Sequence, residues 1–243
     1  MKHLIILIQF LTRIPINIHL DVKREDLSKA VVYFPIVGYI IGGILSLIYL
    51  GLNDSIDQLI LVFLIVMIQV VITGGLHIDG LSDTFDGIYS GRKKEQILVI
   101  MKDPNVGIFG VLSIFFVIMF KFLLLYKISN AVLWVLLLMP VFSRFCVILA
   151  SYIGDYARKS GLGNLFIGQV TKSQLIVGFI CTLIPLYFMP KLYIGLVINL
   201  IFTIWFVKYI SKKIDGITGD TLGAIVELNE VMFLMVIYLM EVF

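Results

Sequence analysis

Three aspartates in one short stretch, Asp79, Asp83 and Asp86, recur at positions i, i+4 and i+7. On a helix turning 100° per residue they fall within about 60° of one another and form a triply anionic face. Like charges so placed repel, and a divalent cation relieves the conflict. Three carboxylates with flanking carbonyls and water make a hard oxygen set, suited to a Mg²⁺ that also holds substrate phosphates. The plainer alternative is an acidic solvated helix, which more often intersperses lysines. His77 adjoins the cluster as a candidate general base, whereas His3 and His19 have no such neighbours. Gly74, Gly75, Gly80 and Gly87 interrupt the helical pattern here and allow close backbone approach to a ligand.

A basic and polar group follows, with Arg92, Lys93 and Lys94, then Lys102, Asp103 and Asn105 ahead of Gly107. Cations beside a metal-binding face suit a diphosphate substrate, because together they neutralise the charge on a leaving phosphate. For Lys93 and Lys94 the competing reading is that they only set membrane topology. Arg158, in a later glycine-rich loop, is a candidate phosphate or nucleotide contact. A second acidic set, Asp220, Glu227 and Glu230, begins the last apolar segment and lies within about 80° on one helix face. Ionisable groups inside an apolar segment are costly and by default functional. Glu227 and Glu230 are therefore expected to join the first cluster as metal ligands, with Asp220 leading from them to the loop surface. Arg144 is another charge inside an apolar segment, expected to find its partner in these acids and to contact substrate. Lys121 lies near a span boundary and is expected to snorkel, without a role.

These residues must be positioned by membrane helices. The 243 residues are 60% hydrophobic and only 14% charged, far from a water-soluble globule. Seven segments have a length and apolarity near those of a span: 31–52, 57–75, 107–126, 131–153, 174–189, 192–210 and 222–243. The fifth is short and contains Pro185, with Pro190 just beyond, so a broken pair and a count of six are the alternative. With seven spans, fifteen Lys and Arg residues fall in loops on one side and two on the other. The positive-inside rule then makes the N-terminus and the acidic loop cytoplasmic. The expected fold is an all-α polytopic membrane protein of about seven transmembrane helices with short interfacial helices, in a single domain over residues 1–243. Cys146 and Cys181 lie in different apolar runs and suggest neither disulfide nor zinc site. No nucleic-acid partner is expected, the lipid bilayer is, and a homo-oligomer is allowed for.

The string from His77 to Gly87, followed by Gly91-Arg92 and by IMKDPNVGIFGVL, closely resembles the signature of bacterial cobalamin synthases, the adenosylcobinamide-GDP ribazoletransferases. So do FLTRIP near the start, YFPIVGYIIG, YARKSGLG and GITGDTLGA, in the order the family shows them. The resemblance implies a Mg²⁺-dependent transfer of the adenosylcobinamide phosphate from adenosylcobinamide-GDP to a hydroxyl of α-ribazole or its 5′-phosphate. GMP would be released at the cytoplasmic face of the cell membrane. A fainter similarity, through Asp83, Asp86, Gly87 and Arg92, is to CDP-alcohol phosphotransferases, but no Asp-x-x-x-Asp pair follows Gly107. From another class, an ion-coupled transporter would use Glu227, Glu230 and Arg144 as an ion path, yet no inverted repeat is visible.

Overall fold

The structure is a computed structural model that describes residues 1–129 and 131–242; Phe243, at the end of the last expected span, lies outside them. Among the described residues the chain is helical, with a single isolated bridge between Tyr156 and Ile217. A short amphipathic helix α1 (Lys2–Leu11) buries Leu7 and Leu11 against the bundle. Next come α2 (Arg24–Ala30) and α3 (Phe34–Leu52), joined by one 3₁₀ turn into a continuous helical segment. α3 packs antiparallel on α8 (Val132–Ile153), because Gly38 and Gly42 let the backbones close. A Cβ on Gly38 would lie 2.7 Å from the Pro140 carbonyl oxygen. Small residues at such crossings are the usual device for close helix packing where lipid offers no hydrophobic drive.

Among the described residues, five helical segments are long and apolar enough to cross a membrane alone: Arg24–Leu52, Ile108–Lys127, Val132–Ile153, Pro190–Ile214 and Gly219–Val242. They contain α3, α7 (Ile108–Lys127), α8, α10 (Tyr193–Ile214) and α11 (Gly219–Val242). A sixth candidate is the pair α4 (Gln58–Thr73) and α5 (Leu76–Tyr89), which is bent by 88°. The bend is made by Gly74 and Gly75, both left-handed at φ 62° and 71°. Of the seven expected segments, the fifth is shorter than a single spanning helix. There α9 (Lys172–Leu183) has only 12 residues before Pro185 tightens the chain into a 3₁₀ turn. This segment nonetheless runs beside α8: Gly178 packs on Ile148, and Phe188 stacks on Trp134 at the far end, with ring centroids 6.2 Å apart.

α5 thus turns away from α4 and runs across one end of the bundle. α6 (Lys94–Ile100) follows it, and the same end receives the loops after α8 and α10. The loop after α8 is tied to the turn before α11 by the Tyr156–Ile217 bridge, with Ala157 N–H donating to the Ile217 carbonyl at 2.9 Å.

Candidate active site

α5 carries the aspartates, and its path is set by two glycine contacts with the first turns of α11. A Cβ on Gly80 would lie 2.7 Å from the Asp220 carbonyl oxygen, and one on Gly223 would lie 3.0 Å from that of His77. Only glycine allows this approach, and it brings Asp220 against the face holding Asp79 and Asp83. The mutual repulsion is visible in Asp83, whose carboxyl is pushed up to about 7 by partial burial and by the charges of Asp220 and Asp79. The opposing influence is Arg158, delivered by the tied loop, whose Nη2 lies 2.9 Å from Asp220 Oδ2. Arg158 also donates to the Met101 carbonyl at 3.4 Å, and its buried Nε–H has no partner among the described residues.

Asp86 shares the helix face but is otherwise engaged. Its two oxygens accept from the backbone N–H groups of Gly107 and Gly110, at 2.7 and 2.8 Å, and so cap the N-terminus of α7. Among the described residues no three His, Cys, Asp or Glu side chains form a group able to hold a metal ion. Asp79 and Asp220 press most on Asp83, and the engaged Asp86 adds to the same repulsion.

The second acidic set divides. Asp220 joins the site, while Glu227 and Glu230 point into the interior and meet cations there. Lys121 donates to Glu227 at 2.7 Å and also to Glu230, which in turn pairs with Arg144. Gln69 and Ser143 complete the acceptor shell of Glu230. This corrects the expectation that Lys121 snorkels: it is 3% exposed and joins α7 to α11. Arg144, at 1% exposure, is likewise closed off from any substrate, although its expected pairing with an acid is present. Two cations and two anions leave the cluster formally neutral, as burial demands. His77 is also buried, on the α5 face turned toward this cluster, and its Nε2 has no partner among the described residues.

Of the basic group, Lys102 and Asp103 line a cleft of about 890 Å³ with Lys94, Arg158 and Lys159. Asn105 is used locally, since its backbone and side-chain nitrogens both donate to Asp103 Oδ1 and hold its carboxyl below the usual range. Arg92 lines a separate hollow with Lys93, Lys213 and Asp215. On the other side of the Arg158–Asp220 pair is a smaller cavity of about 150 Å³ whose lining includes Asp79, Asp220, His77 and several phenylalanines. Sequence reasoning missed Lys121 and these phenylalanines, since an aromatic in an apolar run carries no distinguishing signal.

Carboxylates opposed by one arginine, beside a basic cleft at the end of an apolar bundle, are what a polytopic membrane enzyme handling phosphate-bearing substrates requires. The sequence profile of the cobalamin-5-phosphate synthase family matches residues 3–238. The chain belongs to that family and is a transferase of cobalamin biosynthesis. Among its relatives is the adenosylcobinamide-GDP ribazoletransferase of Clostridioides difficile (strain 630), 42% identical, covering 99% of this chain and 98% of the relative. The enzymes of the same name from Thermoanaerobacter pseudethanolicus and Caldanaerobacter subterraneus subsp. tengcongensis are 42% and 43% identical. Their alignments cover 94% of both chains and 95% of both chains, respectively. No solved structure matches the chain.

Proposed function

We propose that the protein transfers the adenosylcobinamide phosphate of adenosylcobinamide-GDP to a ribose hydroxyl of α-ribazole, or of α-ribazole 5′-phosphate, with release of GMP. The full-length similarity to ribazoletransferases supports the reaction, and the Arg158–Asp220 ion pair is the observation that carries the site. That pair joins a basic cleft, suited to a diphosphate, to a carboxylate face suited to a hydroxyl. In the cleft, Lys94, Lys102 and Lys159 would bind the donor's diphosphate beside the Arg158 guanidinium.

The acceptor hydroxyl oxygen attacks the phosphorus that bears the cobinamide. A new phosphorus–oxygen bond forms, the bond to the bridging oxygen breaks, and GMP departs with that oxygen. The hydroxyl proton passes to Asp83, whose raised affinity for a proton matches a base working near neutrality. Positioning and charge compensation supply most of the acceleration, as in other phosphoryl transfers.

Mg²⁺ fits the donor chemistry: Asp79 and Asp220 are hard oxygen ligands facing one another with a single arginine between them and neutrality. It commonly takes one or two protein carboxylates and completes its shell from substrate phosphate and water. When bound, Mg²⁺ would spread the diphosphate's negative charge. We place the site at the cytoplasmic face of the cell membrane, on the fifteen-to-two bias of Lys and Arg toward the loops on its side.

The test is the purified protein in lipid nanodiscs with adenosylcobinamide-GDP, α-ribazole and Mg²⁺. GMP and a cobalamin product are expected in equal amounts. No GMP above protein-free nanodiscs would refute the assignment, and CMP release from CDP-diacylglycerol and an alcohol would favour a phospholipid synthase instead.

A further inference from the structure

The smaller cavity differs in character from the basic cleft on the other side of the Arg158–Asp220 pair. It is lined by Phe10, Phe34, Phe166, Val147 and Leu222, with Asp79 and Asp220 among its few charged groups and no lysine or arginine. The rings are mutually braced: Phe166 lies 5.8 Å from Phe10 and 5.7 Å edge-on from Phe34 between centroids. Phe34 and Phe166 are buried. Two carboxylates beside an apolar chamber exclude a phosphate by repulsion and desolvation. A chamber on the order of 150 Å³ with such walls accepts a flat aromatic ring.

We infer that this cavity is the subsite for the acceptor's base, with Phe10, Phe34 and Phe166 as its walls. The inference rests on the transferase reading above and adds the side from which each substrate arrives. A two-substrate transfer needs two differently built chambers meeting at the reacting groups, and the Arg158–Asp220 pair is where these two meet. The diphosphate belongs to the lysine-lined cleft. A fused, largely apolar heteroaromatic such as the benzimidazole of α-ribazole belongs to the phenylalanine-lined cavity. Its ribose is then left at Asp79 and Asp220, within reach of the base Asp83. Specificity for the acceptor would lie in the aromatic walls, because a hydrophobic chamber discriminates by shape while an extra amino or keto group would enter it unpaired.

Two measurements test this. Saturable binding of 5,6-dimethylbenzimidazole to the full-length protein in nanodiscs, by equilibrium dialysis without donor, is expected for the wild type. Binding should weaken at least 10-fold in Phe166→Ala and in Leu222→Phe, which respectively removes a wall and fills the chamber. In turnover the same variants should raise KM for α-ribazole at least 10-fold while KM for adenosylcobinamide-GDP stays within twofold, which also shows that the variants fold. Absence of saturable binding to wild type, binding by both variants equal to that of wild type, or a parallel rise in the two KM values would each overturn the inference. Failure of wild type to release GMP would refute the transferase reading separately, because the binding measurement needs no turnover.

Discussion

Lys121→Met tests the buried ion cluster directly. In the structure Lys121 bridges Glu227 and Glu230 and is 3% exposed, so the substitution leaves Glu227 without a cation and Glu230 with Arg144 alone. Removing one partner of a buried pair generally costs about 3–5 kcal/mol. Protonation of the orphaned carboxyl offsets part of this, so the lower bound is the better expectation. A loss of about 3 kcal/mol corresponds to roughly a 150-fold shift in the folding equilibrium. The double variant Lys121→Met/Glu227→Gln restores formal neutrality and should recover at least half of that loss. Reversible unfolding by SDS in mixed micelles, followed by tryptophan fluorescence, measures both. A Lys121→Met protein within about 0.5 kcal/mol of wild type would mean that the lysine reaches the boundary. Strictly additive losses in the double variant would mean that the two residues do not interact.

Three further outcomes follow from the site. Asp83 holds its proton up to about pH 7 in the folded protein but loses it near 3.8 when unfolded, so its favourable contribution is lost as pH rises between these values. In chelator, Asp83→Asn should therefore gain stability relative to wild type from pH 5 to pH 8; a difference that is flat or shrinks with pH would contradict this. Gly80→Ala would press a methyl into the Asp220 backbone and displace α11 from α5. It should lower kcat at least 10-fold while a substitution at the open Gly43 does not, and equal activities would show that the close crossing is not needed. Asp86→Asn should cost about 1 kcal/mol of stability through the weakened α7 cap. A larger loss of Mg²⁺ dependence than of stability would return Asp86 to the metal site.

The helical membrane architecture was legible because apolar length and charge placement are properties of the chain alone. What could not be read was which acids face one another. Asp86 shares a helix face with Asp79 and Asp83, but helical periodicity contains no information about Gly107 and Gly110, which arrive from α7 to occupy its oxygens. Glu227 and Glu230 share a face with Asp220, yet they lie deeper along α11, where Lys121 and Arg144 provide the charges that burial requires. Asp220 and Arg158 were each visible as candidates. Their pairing depends on a loop tied by backbone hydrogen bonds to the turn before α11. The short fifth segment was flagged by its prolines, and the structure breaks there.

We propose that phosphate transfer occurs at the face where Asp83 meets Asp220 and Arg158. The most direct test is the single-turnover rate of GMP release from adenosylcobinamide-GDP with saturating α-ribazole and Mg²⁺, comparing wild type with Asp83→Asn in identical nanodiscs. A fall of at least about 100-fold, roughly 2.7 kcal/mol of transition-state stabilisation, is predicted with binding of both substrates retained. A rate within threefold of wild type would contradict the claim and place the chemistry elsewhere in the molecule.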